Sequence, residues 1–323
     1  MNKYVLLWMT LLQSVYSFSQ TRHILESPTN KLKVEINVGK QNISMALYSN
    51  EQRLVEMKTL QFKLDKDVIQ GDWLLKKHTT NEVRNSWQPL YGENSHIIDF
   101  YNSMTLQLSS SENDKNMTVD VRLYDEGLAF RYGFDELDFW NRTLLKENTE
   151  FLFDSDYTTW ATDRAQSAFY ETNLSKLKGS LDRPQVVKIS SDKYVAIGEA
   201  ALVDYSRMKF KKNDTGIGLQ SDLSGKVDLD LADYESPWRY VMVGNNPGEI
   251  VQNNYFMLNL NEPNQLENMN WIKPGNVIRE VTLTTPRRSC LCRFCSCKRN
   301  KNMWNMMPVG MDLKTKKSRM PQL

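Results

Sequence analysis

The most regular pattern in this 323-residue sequence lies in the stretch Met117-Thr-Val-Asp-Val-Arg-Leu-Tyr-Asp-Glu-Gly-Leu-Ala-Phe-Arg-Tyr-Gly-Phe134. Apolar side chains recur at every second position on both sides of Asp125-Glu126-Gly127, a sequence typical of turns. Because successive side chains of a strand point to opposite faces, the alternation predicts two antiparallel strands joined by a tight turn.

The same alternation recurs along much of the chain. Further strands are predicted at Leu32–Val38, Ile43–Leu47, Met104–Leu108, Tyr194–Ile197, Tyr240–Val243, Tyr255–Leu260 and Val277–Leu283. No segment carries a long apolar stripe with a period of 3.6 residues and helix caps, so we expect few helices. Many strands separated by polar turns predict a mainly β protein built as a large antiparallel sandwich.

Charge and cysteine are distributed unevenly. The whole chain has 41 basic and 39 acidic residues, but residues 286–323 hold 10 of the basic residues, a single acid and all four cysteines. Residues 20–285 contain 30 basic and 38 acidic residues, a net charge of −8, and no cysteine. An acidic body disfavours nucleic acid as a partner, and a body of this size can rely on its hydrophobic core instead of disulfides.

Residues 1–19 have the pattern of a secretory signal peptide. Lys3 supplies a positive charge, Tyr4–Leu12 forms a short apolar run, and Ser17-Phe18-Ser19 offers small residues before a cleavage site at Gln20. The apolar run is too short to span a bilayer. We therefore expect a protein exported to the periplasm or secreted, without a membrane anchor; a buried first strand is the alternative.

The residue content excludes several kinds of chemistry. The chain has three histidines, and none lies near a second ligand at metal spacing. Nucleophile elbows, phosphate loops and dinucleotide fingerprints are absent from the sequence. Carboxylates, amides and aromatic side chains remain, and these are the groups that bind carbohydrates and calcium.

Several motifs, in a shared order, resemble the N-terminal domain of glycoside hydrolase family 97. They are Arg122-Leu-Tyr-Asp-Glu-Gly-Leu-Ala-Phe-Arg-Tyr132, Ala196-Ile-Gly-Glu-Ala-Ala-Leu202 with Asp204-Tyr205, Ser236-Pro-Trp-Arg239, Asn259-Leu-Asn-Glu-Pro263, and Trp271-Ile-Lys-Pro-Gly275 leading into Arg279-Glu280. The resemblance covers residues 21–285. It implies a galactose-mutarotase-like β-super-sandwich, here residues 20–285, that packs on a catalytic (β/α)8 barrel.

The resemblance also implies a function. The family comprises exported bacterial exo-α-glycosidases that depend on calcium and act as α-glucosidases or α-galactosidases on oligosaccharides, so the resemblance also implies a bacterial source. The barrel supplies the catalytic carboxylates, so we expect this chain to contain no catalytic residue and to be inactive alone. The alternative is a stand-alone carbohydrate-binding module, which would bind sugar without a barrel.

Three residues of the sandwich are candidates for binding calcium or substrate. Glu199 matches the position where the resemblance implies a calcium-binding carboxylate, and the alternative is a glutamate exposed to solvent or at the edge of the core. Glu171 and Arg239 are weaker substrate-binding candidates, because each follows an aromatic residue suited to a sugar site, Tyr170 and Trp238. Their alternative is an ordinary surface ion pair.

Residues 286–323 depart from the family pattern. Cys290, Cys292, Cys295 and Cys297 lie within eight residues, whereas structural zinc sites draw two pairs from separated turns. Regrouping the codons inferred for residues 302–312 gives a peptide similar to an early barrel strand of the family. We interpret the tail as an out-of-frame translation of barrel-coding DNA and expect it to be disordered.

Overall fold

The computed structural model describes residues 21–39, 42–70, 73–110, 115–229, 234–273 and 275. Contacts divide the chain into residues 1–272 and 273–323, and the second unit lies outside the described residues except for Lys273 and Gly275. The predicted signal peptide, the strand at Val277–Leu283 and the tail also lie outside them. None of the helices in the described part of the chain is long and apolar enough to cross a membrane.

The described residues form nineteen strands, three short α-helices and one 3₁₀-helix at Leu174–Lys176. The strands are β1 Thr21–Glu26, β2 Leu32–Val38, β3 Ile43–Ser49, β4 Gln52–Leu64, β5 Val68–Gln70, β6 Trp73–Trp87, β7 Ile97–Ser110, β8 Lys115–Tyr124, β9 Gly127–Phe134, β10 Arg142–Leu152, β11 Thr158–Ala161, β12 Tyr170–Asn173, β13 Gln185–Ser190, β14 Lys193–Ala200, β15 Met208–Lys212, β16 Gly218–Leu223, β17 Val227–Leu229, β18 Tyr234–Glu235 and β19 Trp238–Gly244. The helices are α1 Glu136–Phe139, α2 Pro247–Gln252 and α3 Asn254–Asn259.

The strands build two antiparallel sheets. Within the described residues, a nine-stranded sheet has the order β1-β2-β3-β4-β10-β16-β15, with β5 beside β4 and β17 beside β10. A ten-stranded sheet has the order β12-β11-β13-β14-β19-β9-β8-β7-β6, with β18 beside β9. The predicted β class and sandwich architecture are therefore confirmed.

Alternation places the core between the two sheets. On β8, the side chains of Met117, Val119, Val121 and Leu123 are almost completely buried, while the intervening residues are only partly buried. The inner faces of both sheets contribute to one continuous hydrophobic cluster. Burial of this many apolar side chains is the main stabilising contribution to the fold.

The outer face of the ten-stranded sheet is partly covered by α2 and α3. A second apolar cluster forms there, and it includes Tyr124, Trp238, Phe256 and Leu260. Every residue of β19 is consequently buried, because its strand has the core on one face and this second cluster on the other.

The strand predicted at Tyr255–Leu260 is wrong, because α3 occupies this segment. The preceding helix begins at Pro247, and its N-cap Asn246 accepts a hydrogen bond from the Glu249 amide at 3.0 Å. In α3 the buried Phe256 and Asn259 are three residues apart, which is the spacing of one helix face rather than of a strand.

Candidate functional site

A buried arginine joins the two sheets near the middle of the sandwich. Arg239 lies on β19 of the ten-stranded sheet, and Glu147 lies on β10 of the nine-stranded sheet; both side chains are 0% exposed. Arg239 Nε donates to Glu147 Oε1 at 2.9 Å, and Nη2 donates to Oε2 at 2.7 Å. This two-point geometry matches the planar fork of a guanidinium to a carboxylate.

The same guanidinium also holds Glu199. Its Nη1 donates to Glu199 Oε2 at 2.7 Å, and Arg183 Nε pairs with Oε1 at 2.6 Å. The Met208 amide adds contacts of 3.1 and 3.2 Å to the two carboxylate oxygens. The Glu199 side chain is 1% exposed, so we call Glu147, Arg239, Glu199 and Arg183 the buried ion-pair cluster.

Burial and charge oppose each other in this cluster. Burial raises the pKa of the Glu199 carboxyl, and the charges of Arg239 and Arg183 work against that rise. For Arg239, burial acts to lower the pKa, but the adjacent Glu147 carboxylate outweighs it and holds the guanidinium pKa above its ordinary value. Arg239 therefore stays charged, and the cluster balances two carboxylates against two guanidinium groups.

Tyrosine and threonine hydroxyls surround the cluster. Tyr205 donates its hydroxyl to Glu147 Oε2 at 3.0 Å, and burial followed by the Glu147 charge raises the pKa of this phenol well above its ordinary value. The Tyr132 hydroxyl lies 2.6 Å from the Thr59 hydroxyl and 2.9 Å from that of Thr149. These hydrogen bonds link the sheets beside the ion pairs and rigidify the polar centre.

Two of the three predicted site residues meet in this cluster. Glu199 and Arg239 are register partners on β14 and β19, and both side chains point between the sheets. The alternative of a surface ion pair is wrong for Arg239. Glu171 lies elsewhere, exposed on the edge strand β12 and opposite Trp160 of β11.

The aromatic neighbour that suggested a sugar site at Arg239 points the other way. Trp238 is the preceding residue of the same strand, so its ring lies on the outer face of the sheet. The guanidinium carbons of Arg122 and Arg131 lie 4.4 and 4.5 Å from its ring centroid, and the residue is 1% exposed. Trp238 and Arg239 therefore do not line one pocket.

Sequence reasoning missed Glu147. Its segment alternates imperfectly, because the pairing of β10 with β4 shifts between Leu144 and Lys146. After the shift, Glu147, Thr149 and Phe151 all belong to the buried positions of the strand. A glutamate at an inward position of a strand is the available signal, but the shift conceals which positions face inward.

The described residues do not by themselves fit a calcium ion. Calcium takes six to eight oxygen ligands, whereas both Glu199 oxygens already accept contacts from arginine and backbone donors. No group of three or more histidine, cysteine, aspartate or glutamate side chains able to hold a metal occurs in the described part of the chain.

Comparison with solved structures gives the same fold. A glycoside hydrolase family 97 enzyme from Pseudoalteromonas sp. strain K8, solved with panose and with acarbose, superimposes with a TM-score of 0.72 at 24% identity over 78% of this chain. A beta-arabinopyranosidase superimposes with a TM-score of 0.60 at 17% identity over 69% of the chain. The present chain spans 40% of the length of each of these proteins.

Comparison with family descriptions gives a match to a single type of domain. Residues 25–263, more than half of the chain, match the description Glycosyl-hydrolase 97 N-terminal. The matched region contains all nineteen strands except the beginning of β1, and it contains the whole buried ion-pair cluster. The chain therefore belongs to the glycosyl hydrolase 97 family and carries its N-terminal domain.

Proposed function

We propose that this chain is the N-terminal sandwich of an exo-α-glycosidase of the α-glucosidase or α-galactosidase type, acting in glycan breakdown. The observation that carries the proposal is the family match over residues 25–263. The panose and acarbose complexes of the Pseudoalteromonas enzyme support an oligosaccharide as the substrate of the intact protein.

The buried cluster supports a structural role for this domain in that enzyme. Glycoside hydrolysis needs one carboxylic acid that donates a proton and a second carboxylate that acts as base or nucleophile. Glu147 and Glu199 are both paired with arginine and closed off from solvent. We therefore propose that these carboxylates fix the sandwich and that the chain alone does not hydrolyse glycosides.

Calcium enters the proposal only through the intact enzyme. The resemblance offers Glu199 as the sandwich's ligand, but this carboxylate is held by two arginines here. We propose that calcium binding requires ligands from outside the described residues. The expected result is an unchanged melting temperature of this chain when calcium is added to millimolar concentration, since only a bound ligand stabilises the folded state.

Export is a further part of the proposal. Its support is the sequence of residues 1–19, with a positive charge before a short apolar run. Expression of the full sequence in a bacterial host should give periplasmic protein whose N-terminal residue is Gln20. Cytoplasmic protein that still begins at Met1 would contradict export.

A hydrolysis assay tests the proposed function. The purified chain is incubated with p-nitrophenyl α-glucoside and p-nitrophenyl α-galactoside, with and without calcium, and nitrophenol release is followed by absorbance. We expect no release above the enzyme-free blank. Release in proportion to protein concentration would show that the chain is a complete catalyst.

A further inference from the structure

A cavity lined by none of the residues of the buried ion-pair cluster opens beside helix α3. It has a volume of about 320 Å³ and lies between the start of β7, the β8–β9 turn and helix α3. This volume is at the lower end of the range for small-molecule sites. It is large enough for a single sugar ring and too small for an extended chain.

Aromatic rings form one wall of the cavity. Phe100 on β7 and Tyr255 on α3 line it and are only partly buried, so part of each ring remains accessible. Tyr124 and Phe256 also line the cavity and are packed edge to face, with ring centroids 5.1 Å apart and an interplanar angle of 72°. These two rings hold each other in place.

Polar groups with definite orientations form the rest of the cavity. The Asn259 amide is held from both sides, because Trp87 Nε1 donates to its Oδ1 at 2.9 Å and its Nδ2 donates to the Ile98 carbonyl at 2.9 Å. Glu126, in the β8–β9 turn, also lines the cavity, and the Tyr255 hydroxyl donates to Asn253 Oδ1 at 3.4 Å. A ligand would therefore meet one fixed amide and, beside it, the Glu126 carboxyl and the Tyr255 phenol.

The charge of the lining selects the kind of ligand. His96 lines the cavity, and the Arg84 guanidinium carbon lies 5.2 Å from the Phe100 ring centroid. No lysine or arginine occurs among the described lining residues, and their two acids disfavour phosphates and acidic sugars. Of the two acids, Asp125 already accepts hydrogen bonds from the Thr29 amide at 3.0 Å and hydroxyl at 2.6 Å. Glu126 remains as the principal acceptor for a ligand hydroxyl.

We propose that this cavity binds a neutral pyranoside, whose apolar ring face packs on Tyr255 and Phe100 and whose hydroxyls hydrogen-bond to Glu126. A sugar ring has one face of C–H groups and an edge of hydroxyls, and the cavity offers a surface for each. The proposal rests on the proposed function only for its choice of a glycan as ligand.

The protonation behaviour of Glu126 agrees with a neutral ligand. Burial, and then the neighbouring Asp125 charge, raise the pKa of the Glu126 carboxyl above its ordinary value. A carboxyl that is more easily protonated carries less negative charge in weakly acidic solution.

The indole N–H of Trp87 gives a local readout, because its hydrogen-bond acceptor Asn259 lines the cavity. The full chain, labelled with ¹⁵N, is titrated with methyl α-D-glucopyranoside and methyl α-D-galactopyranoside, and the indole resonances are followed by NMR. The Trp87 signal is assigned with Trp87→Phe. We expect one of the two sugars to shift it saturably.

Variants locate the binding site. Glu126→Gln should weaken binding by about tenfold, because an acceptor of the ligand hydroxyl is replaced by a weaker one. Tyr255→Ala should weaken it by at least as much, whereas Tyr255→Phe keeps the ring and should retain most of the affinity. Glu51→Gln, an exposed substitution on the β3–β4 turn, is the matched control and should bind like the wild type.

Three results would overturn the proposal. They are the absence of a saturable shift with either sugar, equal affinity in Glu126→Gln and the wild type, and binding of glucosamine in place of the neutral glycosides. None of these results changes the expected outcome of the hydrolysis assay, so a failure here is distinguishable from a failure of the proposed function.

Discussion

Replacing Arg239 with methionine removes the cation shared by Glu147 and Glu199. Methionine keeps an unbranched apolar stem of similar length, so the main change is the loss of the guanidinium. Glu199 retains Arg183 at 2.6 Å, but the remaining described partners of the Glu147 carboxylate are two hydroxyls, Tyr205 at 3.0 Å and Thr149 at 3.4 Å. The variant therefore contains a carboxylate with 0% exposure and no counter-charge.

The expected loss of unfolding free energy equals the cost of keeping this buried carboxyl neutral in the folded variant. A glutamate titrates near pKa 4.3, about 2.7 units below pH 7, and each unit corresponds to about 1.36 kcal/mol. Taking up one proton on folding at pH 7 therefore costs about 3.7 kcal/mol. This agrees with the general cost of about 3–5 kcal/mol for removing one partner of a buried ion pair.

The pH dependence has a definite sign. In the variant the buried carboxyl has no cation beside it, and burial favours the neutral form of a carboxyl, so the folded state takes up an extra proton. Stability is then lost as the pH rises above about 4.3. The free energy of unfolding of the variant should therefore lie about 4 kcal/mol below that of the wild type at pH 7 and about 1 kcal/mol below it at pH 5.

Urea unfolding followed by tryptophan fluorescence, at pH 5 and pH 7, measures the loss of unfolding free energy and its change with pH. The control is Arg53→Met, since Arg53 and its partner Asp154 are 39% and 45% exposed and their ion pair should contribute less than about 1 kcal/mol. A loss of unfolding free energy below about 1 kcal/mol for Arg239→Met at pH 7 would show that Arg239 does not stabilise the fold by neutralising Glu147. An equal loss at both pH values would contradict proton uptake as its cause.

Three further predictions concern other parts of the sandwich. Tyr132→Phe should lower the free energy of unfolding by about 1–2 kcal/mol, because the buried Thr59 hydroxyl loses the hydroxyl that it contacts across the sheets at 2.6 Å. An unchanged urea midpoint would contradict this. Gly218→Ala should cost about 1–3 kcal/mol, because φ is +156° and an added Cβ would overlap a backbone oxygen of β10; equal stability would show that the strand can shift. The His23 ring lies 4.4 Å from the His78 ring, and burial, followed by the His78 charge, lowers the His23 pKa below 6.5. His23 therefore contributes stability above pH 6.5 that is lost as the pH falls. The melting temperature of His23→Gln should drop less between pH 7.5 and pH 5.5 than that of the wild type. An equal drop in both proteins would exclude the contact between the two histidines as the cause.

Much of the fold could be predicted from the sequence because one-sided burial leaves a period of two. Met117 to Leu123 and Leu32 to Val38 both show it clearly, and both are strands. The pattern fails where the segment is short. In α3, six residues give too few turns for a helical period to be visible.

The site was less predictable because its members come from distant strands. Glu199 and Arg239 were found through motifs, and their pairing depends on the register of β14 with β19. Glu147 is 92 residues from Arg239 in sequence and reaches it only because the two sheets pack face to face. Sequence spacing carries no information on contacts between sheets.

A crystal structure of this chain grown with calcium gives the clearest test of the buried ion-pair cluster. The prediction is that Arg239 lies within about 3 Å of both Glu147 and Glu199, with both carboxylates closed to solvent and no ion at Glu199. A Glu199 side chain turned away from Arg239 to ligate calcium, or a solvent-exposed Arg239, would contradict it.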